Sequence, residues 1–87
     1  MTATMTMTTK QRQIMNTVVR LNEDGSFLDL DQILDRLTYR TSKQSLQFSI
    51  RFLIKKGFLI KQGRERRRGR SRVILSPTKF GYMLMSV

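Results

Sequence analysis

The stretch of sequence that decides the fold is residues 42–75, SKQSLQFSIRFLIKKGFLIKQGRERRRGRSRVIL. In its first part, Leu46, Ile50 and Leu53 recur at the spacing of one helical face. This pattern predicts a helix that starts at residue 42 or 43 and runs to residue 56. Gly57 is its expected end, because glycine readily adopts the left-handed conformation that follows a helical C-terminus.

A β-hairpin is predicted after this helix. Residues 58–62 and 72–75 are the strand candidates, and the polar loop between them, 63–71, has a glycine near each end. The segment 63–72 contains six arginines in ten residues. Since the tip of a hairpin cannot bury so many charges, we expect these arginines to stay in solvent or to contact an anion.

Two helices are predicted before residue 42. Helix one is expected over residues 9–21, with Thr8 and Gln11 as a reciprocal capping box at its N-terminus. Helix two is expected to begin after Asp29, where Gln32 completes a second box. Apolar stripes at helical spacing support both helices: Ile14, Met15, Val18, Val19 and Leu21 in the first, and Leu30, Ile33, Leu34 and Leu37 in the second.

A last helix is predicted over residues 77–87, because Pro77 suits an early helical position and Ser76 can cap it. Residues 27–28 are candidates for a very short strand, and residues 1–8 are expected to form a disordered tail. The whole pattern predicts one domain over residues 9–87, of the α+β class and mostly α. The predicted shared face of the last helix is Phe80, Met83, Leu84 and Val87.

The net charge of +11 is concentrated in the second half of the chain. Residues 1–39 carry four basic and five acidic side chains, net −1, whereas residues 40–87 carry thirteen basic and one acidic, net +12. Because so large a charge repels itself when the chain compacts, we expect a polyanionic partner. No apolar run approaches the roughly 20 residues that a membrane span needs, so we expect no membrane partner.

The absence of cysteine and histidine excludes disulfides, thiolate or imidazole metal sites, and Ser–His or Cys–His catalytic pairs. The one acidic cluster, Asp29, Asp31 and Asp35, is interpreted as a helix cap and two solvent-side residues rather than a metal or acid–base site. We therefore expect no enzyme activity, no cofactor, no metal and no small-molecule ligand.

Three segments carry a resemblance to a known family. TKQRQIM at 9–15 and LIKKGFLI at 53–60 resemble the opening of helix one and the junction into the hairpin in the DNA-binding domain of the SOS repressor LexA. ILSPTKFG at 74–81 is similar to the start of the helix after the hairpin in MarR-type regulators. The chain thus resembles a winged helix-turn-helix: a three-helix core, a β-hairpin wing and a short C-terminal helix. It departs from these families in lacking the usual glycine in the turn before helix three.

The resemblance implies that helix three, about 42–56, enters the major groove of DNA, and that the wing, about 58–75, grips the backbone or the minor groove. Amide and guanidinium groups can pair bidentately with adenine and guanine. The candidate base-reading residues are Ser42, Lys43, Gln44, Gln47 and Arg51. The candidate backbone or wing contacts are Arg40, Lys55, Arg64, Arg66, Arg67, Arg68, Arg70 and Arg72. The alternative is that these groups are simply solvated. If five wing arginines contact phosphates, the log–log salt slope of binding would be about −4.5.

Phe48 and Phe52 form a third face of helix three. The favoured interpretation is that they pack against helix one or the C-terminal helix. A second interpretation is an exposed aromatic patch for self-association or a protein partner. A third is stacking on the bases of a single strand.

These features predict a small repressor-like regulator of transcription that binds double-stranded DNA sequence-specifically. A dimer on a two-fold site is expected, since a single module gives limited affinity. A phage, plasmid or prokaryotic origin and a cytoplasmic, nucleoid-associated location fit this hypothesis. Two alternatives stay open. One is an adaptor or inhibitor that acts through Phe48 and Phe52; the other is nonspecific DNA or RNA binding in replication or nucleoid organisation.

Overall fold

Four helices and one β-hairpin make up the part of the chain that the structure describes, residues 7–85 of a computed structural model. This arrangement confirms the predicted α+β class. In chain order the elements are α1 (Thr9–Val19), α2 (Leu30–Arg36), α3 (Lys43–Lys55), β1 (Leu59–Arg67), β2 (Arg70–Pro77) and α4 (Lys79–Met85).

Side chains that bind the free backbone N–H groups determine where the first two helices begin. The Thr8 hydroxyl accepts from the Gln11 N–H, and the Gln11 side chain accepts from the Thr8 N–H, both at 3.1 Å. Asp29 and Gln32 make the same reciprocal pair at 2.9 and 3.1 Å. Both predicted capping boxes are therefore confirmed. They form because a short polar side chain at the cap satisfies N–H donors that the helix itself leaves unpaired.

The apolar stripes of α1, α2 and α3 meet under the hairpin. The predicted core face of α3 is confirmed, since Leu46, Ile50 and Leu53 are all at most 5% exposed. Tight packing of these aliphatic side chains supplies most of the favourable free energy in a chain with no disulfide. The core cluster consists of Ile14, Met15, Val18, Leu28, Leu30, Ile33, Leu46, Ile50, Leu53, Phe58, Leu59 and Leu75.

The two strands form an antiparallel ribbon that is longer than predicted. The expected polar loop over residues 63–71 is wrong, because pairing continues up to Arg67 opposite Arg70. Only Arg68 and Gly69 form the turn, with φ of 52° and 78°. Two consecutive positive φ values are the conformation that matches the twist of a two-residue hairpin, and glycine adopts it at little cost. A β-bulge shifts the register between Lys61 and Gly63.

The segment between α1 and α2 differs from the prediction. Helix α1 ends at Val19 rather than at residue 21, and Leu21 has a left-handed φ of 58°. The predicted strand at 27–28 is not formed; a single bridge joins Asp29 to Ile74. One further hydrogen bond, from the Leu75 N–H to the Leu28 carbonyl at 3.0 Å, ties this segment to β2.

The last helix begins two residues later than predicted, because Pro77 belongs to β2. Thr78 replaces Ser76 as the capping side chain, and its hydroxyl accepts from the Gly81 N–H at 3.0 Å. Gly81 is buried against the Phe58 carbonyl, where a Cβ would lie 2.2 Å from the oxygen. The packed side therefore contains Gly81 and Leu84, and the half-exposed Phe80 ring stacks on Phe58 with ring centroids 5.2 Å apart. Of the predicted face, Met83 is the residue that departs, at 61% exposed. The predicted end at residue 87 lies outside the described residues.

Two expectations concern the ends of the chain and its relation to a membrane. The predicted tail, 1–8, falls mostly outside residues 7–85; within them, Met7 packs against the core and Thr8 caps α1. No helix within residues 7–85 combines the length and the apolar character needed to cross a membrane.

Candidate functional site

The exposed side of α3 carries the five predicted base-reading residues. Gln44, Gln47 and Arg51 are exposed on the side of the helix that does not contact the core. Ser42 is also exposed, but its hydroxyl caps α3 by accepting from the Ser45 N–H at 3.1 Å. Lys43 is exposed, and its ammonium forms an ion pair with Asp31 of α2 at 3.1 Å. This face can therefore present amide and guanidinium donors without first breaking any packing.

Phe48 lies within this polar face. Its side chain is 72% exposed and lines a shallow surface depression together with Gln44, Gln47 and Arg51. Phe52 is 41% exposed, and the Lys56 ammonium lies 5.4 Å from the centre of its ring. The favoured interpretation, in which both phenylalanines pack against another helix, is therefore wrong.

The hairpin has two faces with different surroundings, and the first faces α2. We call it the anchored face; its residues are Glu65, Arg67 and Arg72. The Arg67 side chain is only 16% exposed. It donates to the Phe27 carbonyl at 2.9 Å and to the Gln32 side chain at 3.2 Å.

Asp29 is the centre of this contact. Its carboxylate is fully buried, accepts from the α2 backbone, and forms ion pairs with Arg67 at 3.5 Å and with Arg68 at 3.3 Å. A second ion pair joins Arg67 to Glu65 at 3.1 Å. A buried carboxylate that lost these partners would be costly, so the turn and the α2 N-terminus are tied together.

Asp31, two residues further along the chain and in the first turn of α2, makes a second connection. It forms an ion pair with Arg72, whose side chain is 14% exposed, and it lies 3.1 Å from the Lys43 ammonium at the start of α3. Burial alone would raise the pKa of the Asp31 carboxyl, but hydrogen bonds and charges of Arg72 and Lys43 outweigh it. The pKa of Asp31 consequently lies below its ordinary value of 3.8. Asp35, the third member of the acidic cluster, is exposed.

The other face of the hairpin, which we call the open face, carries Arg64 and Arg66. They stand opposite Val73 and Ser71 in the register, and both are exposed. Arg70, beside the turn, is exposed as well. None of these three arginines has an ion pair with any residue of the described range 7–85.

The open face and α3 enclose a common crevice of about 210 Å³. Gln47 and Arg51 of α3 line one side, and Lys61 and Arg64 of β1 line the other. Its floor is apolar and is formed by Leu30, Ile50, Ile54, Val73 and Leu75. Side chains from two separate elements, three of them cationic, thus converge on one side of the molecule.

The remaining predicted contacts, Arg40 and Lys55, are exposed near the two ends of α3 and have no ion pair within residues 7–85. Within the same residues, no group of three acidic side chains is close enough to hold a metal ion. Sequence reasoning missed Lys61 as a member of the crevice. It also missed the pairing of Arg67 and Arg72 with aspartates, for which the alternation of side chains along a strand is the only available signal.

No protein-family model matches the chain, and no curated protein sequence matches it significantly.

Proposed function

We propose that this protein binds double-stranded DNA as a winged helix-turn-helix module, with α3 in the major groove and the hairpin as the wing. The observation that carries this proposal is the crevice that α3 and the open face line together, with Arg51, Lys61 and Arg64 around it. Helix α3 contains no acidic residue, so nothing on it repels a phosphate backbone.

The division of roles follows from the chemistry of the side chains. Gln44, Gln47 and Arg51 have donors and acceptors that suit base edges, whereas Arg64, Arg66 and Arg70 suit phosphates. Contacts with phosphates fix the position on the duplex, and contacts with bases give sequence preference. The proposed biological role is that of a small repressor-like regulator that acts as a dimer on a two-fold site.

Selection of bound duplexes from a random pool, repeated at several salt concentrations, tests the proposal. We expect a sequence to be enriched at about 150 mM salt, where exposed electrostatic interactions are already well screened. Equal affinity for random and selected duplexes would instead indicate nonspecific DNA binding. Preference for RNA or for single strands over every duplex would contradict the proposal.

A second candidate, binding of a protein partner through Phe48 and Phe52, is favoured by the exposure of both rings. Alanine at both positions distinguishes it. A lost protein partner together with unchanged DNA affinity would support this candidate, and weakened DNA binding would count against it.

A further inference from the structure

Phe48 occupies the ridge of α3 that projects furthest from the core. At 100° per residue it lies roughly opposite Leu46 and Ile50, which are buried. Gln44, Arg51 and Lys55 fall within about 60° of it on the same wheel. A helix that inserts its outer ridge into a groove therefore brings the Phe48 ring as deep as the polar side chains around it.

The charges around Phe48 restrict what can cover this ring. Lys43, Arg51 and Lys55 are the charged residues of α3, and all are cationic. A second copy of the chain that used the same face would bring Arg51 and Lys55 against themselves, which like charges oppose. A polyanion is complementary in charge to this surface. To cover the Phe48 ring as well, the polyanion must offer an apolar group at that position.

Double-stranded DNA presents one such group at the base edges of its major groove. It is the 5-methyl group of thymine, which accepts apolar contacts from side chains such as phenylalanine. We propose that Phe48 is a specificity-determining residue that packs on the 5-methyl group of a pyrimidine. The proposal rests on the proposed duplex binding, and it makes the exposed ring part of the base-reading face rather than a separate protein interface.

Replacement of thymine by deoxyuridine in the selected duplex tests the contact, because deoxyuridine lacks only the methyl group. We expect one thymine of each half-site to be sensitive. Its methyl group should be worth about fourfold in affinity, the factor for burying one methyl-sized group. Replacing that base pair by C·G and then by 5-methylcytosine·G should recover about the same factor between the last two duplexes.

Phe48→Ala should bind the thymine and deoxyuridine duplexes equally. It should also stay folded, because its ring makes little contact with the rest of the molecule and alanine favours helices. Phe52→Ala is the matched control. It removes the same ring one turn later, on the side of α3 away from the hairpin, and should keep the fourfold discrimination.

Three results would overturn the proposal while leaving duplex binding intact. They are a wild-type protein that is indifferent to every methyl group, an enriched site without thymine, and a Phe48→Ala protein that still discriminates. The first two need no variant. If the wild-type protein enriches no duplex at all, the proposed function and this contact fail together.

Discussion

The anchored and open faces of the hairpin are made from the same kind of residue and have opposite surroundings. Arg67 and Arg72 are 16% and 14% exposed, and they pair with aspartates at the N-terminus of α2, the cap residue Asp29 and Asp31. Arg64 and Arg66 lie on β1 of the same hairpin, are exposed, and have no such partner within residues 7–85. The arginines of one segment therefore do not all contribute in the same way to the charge that the surface presents. The face on which a residue falls decides whether its guanidinium holds the fold together or remains available to a ligand.

The β-bulge determines which arginines fall on which face. Strict alternation from Leu59 would put Lys61, Glu65 and Arg67 on one side of the ribbon. The register shift between Lys61 and Gly63 reverses the alternation, so Lys61 and Arg64 line the crevice together. Bulges that redirect side chains in this way are common next to functional sites.

The largest difference between the two faces should come from removing the buried carboxylate that holds the anchored face. Asp29→Ala deletes the α2 cap and leaves Arg67 without its buried partner. We expect the free energy of unfolding to fall by about 3 kcal/mol, measured by denaturant unfolding.

Asp29→Asn is the matched control, because asparagine caps helices about as well as aspartate but carries no charge. It should lose less stability than the alanine variant, and the remaining loss is the contribution of the ion pairs. If Asp29→Asn were as stable as the wild type, the anchored face would not be held by electrostatics.

Separate alanine substitutions at the neighbours Arg66 and Arg67 compare one residue of each face directly. Arg67→Ala should lower the free energy of unfolding by about 2 kcal/mol, because it removes charge-assisted hydrogen bonds to half-buried acceptors. Arg66→Ala should change it by no more than about 0.5 kcal/mol, as is usual for exposed positions.

Under the proposed function, duplex binding should show the opposite order. Arg66→Ala should weaken binding to most sequences alike and flatten the salt slope by about 0.9, the value for one phosphate contact. Arg67→Ala, measured where it is fully folded, should leave the slope unchanged. Replacing Arg64, Arg66 and Arg70 together should flatten it by about 2.7, less than the six hairpin arginines would suggest. A larger effect of Arg67 than of Arg66 on the slope would reverse the assignment of the two faces.

Local patterns in the sequence were enough to predict much of the fold. The spacing of Leu46, Ile50 and Leu53 and the capping pairs at Thr8 and Asp29 act over one or two helical turns, and all were confirmed. Gly57, with a positive φ of 87°, follows the end of α3 as predicted, although the helix ends at Lys55, one residue before the predicted residue 56.

The site was harder to predict, because its geometry depends on residues far apart in the chain. Asp29 and Arg67 are separated by 38 positions, and their pairing requires both the bridge to Ile74 and the bulge before Gly63. The sequence alone shows neither. The roles of the exposed residues in DNA binding stay predictions. The prediction that Phe48 packs against another helix is wrong, because the sequence does not show which elements lie against that face of α3.

Of the contacts on the anchored face, the one made by Asp31 is expected to contribute least to stability, and its contribution appears in the pH dependence. Hydrogen bonds and charges of Arg72 and Lys43 outweigh the cost of burial and lower the pKa of Asp31 in the folded state. A carboxyl whose folded pKa is depressed stabilises the protein above its unfolded pKa, near 3.8, and loses this contribution as pH falls through the lower, folded value.

Asp31→Asn should therefore be less stable than the wild type by about 1 kcal/mol at neutral pH. The difference should narrow below pH 3.8, as the wild-type carboxyl takes up its proton. Denaturant unfolding at neutral pH and at progressively lower pH measures the gap. Asp24, whose pKa is lowered mainly by its hydrogen bonds with Ser26, is present in both proteins and cancels from the comparison. A gap that stays constant with pH would mean that Asp31 contributes through packing and not through charge, and that Arg72 is held on the anchored face by something other than this ion pair.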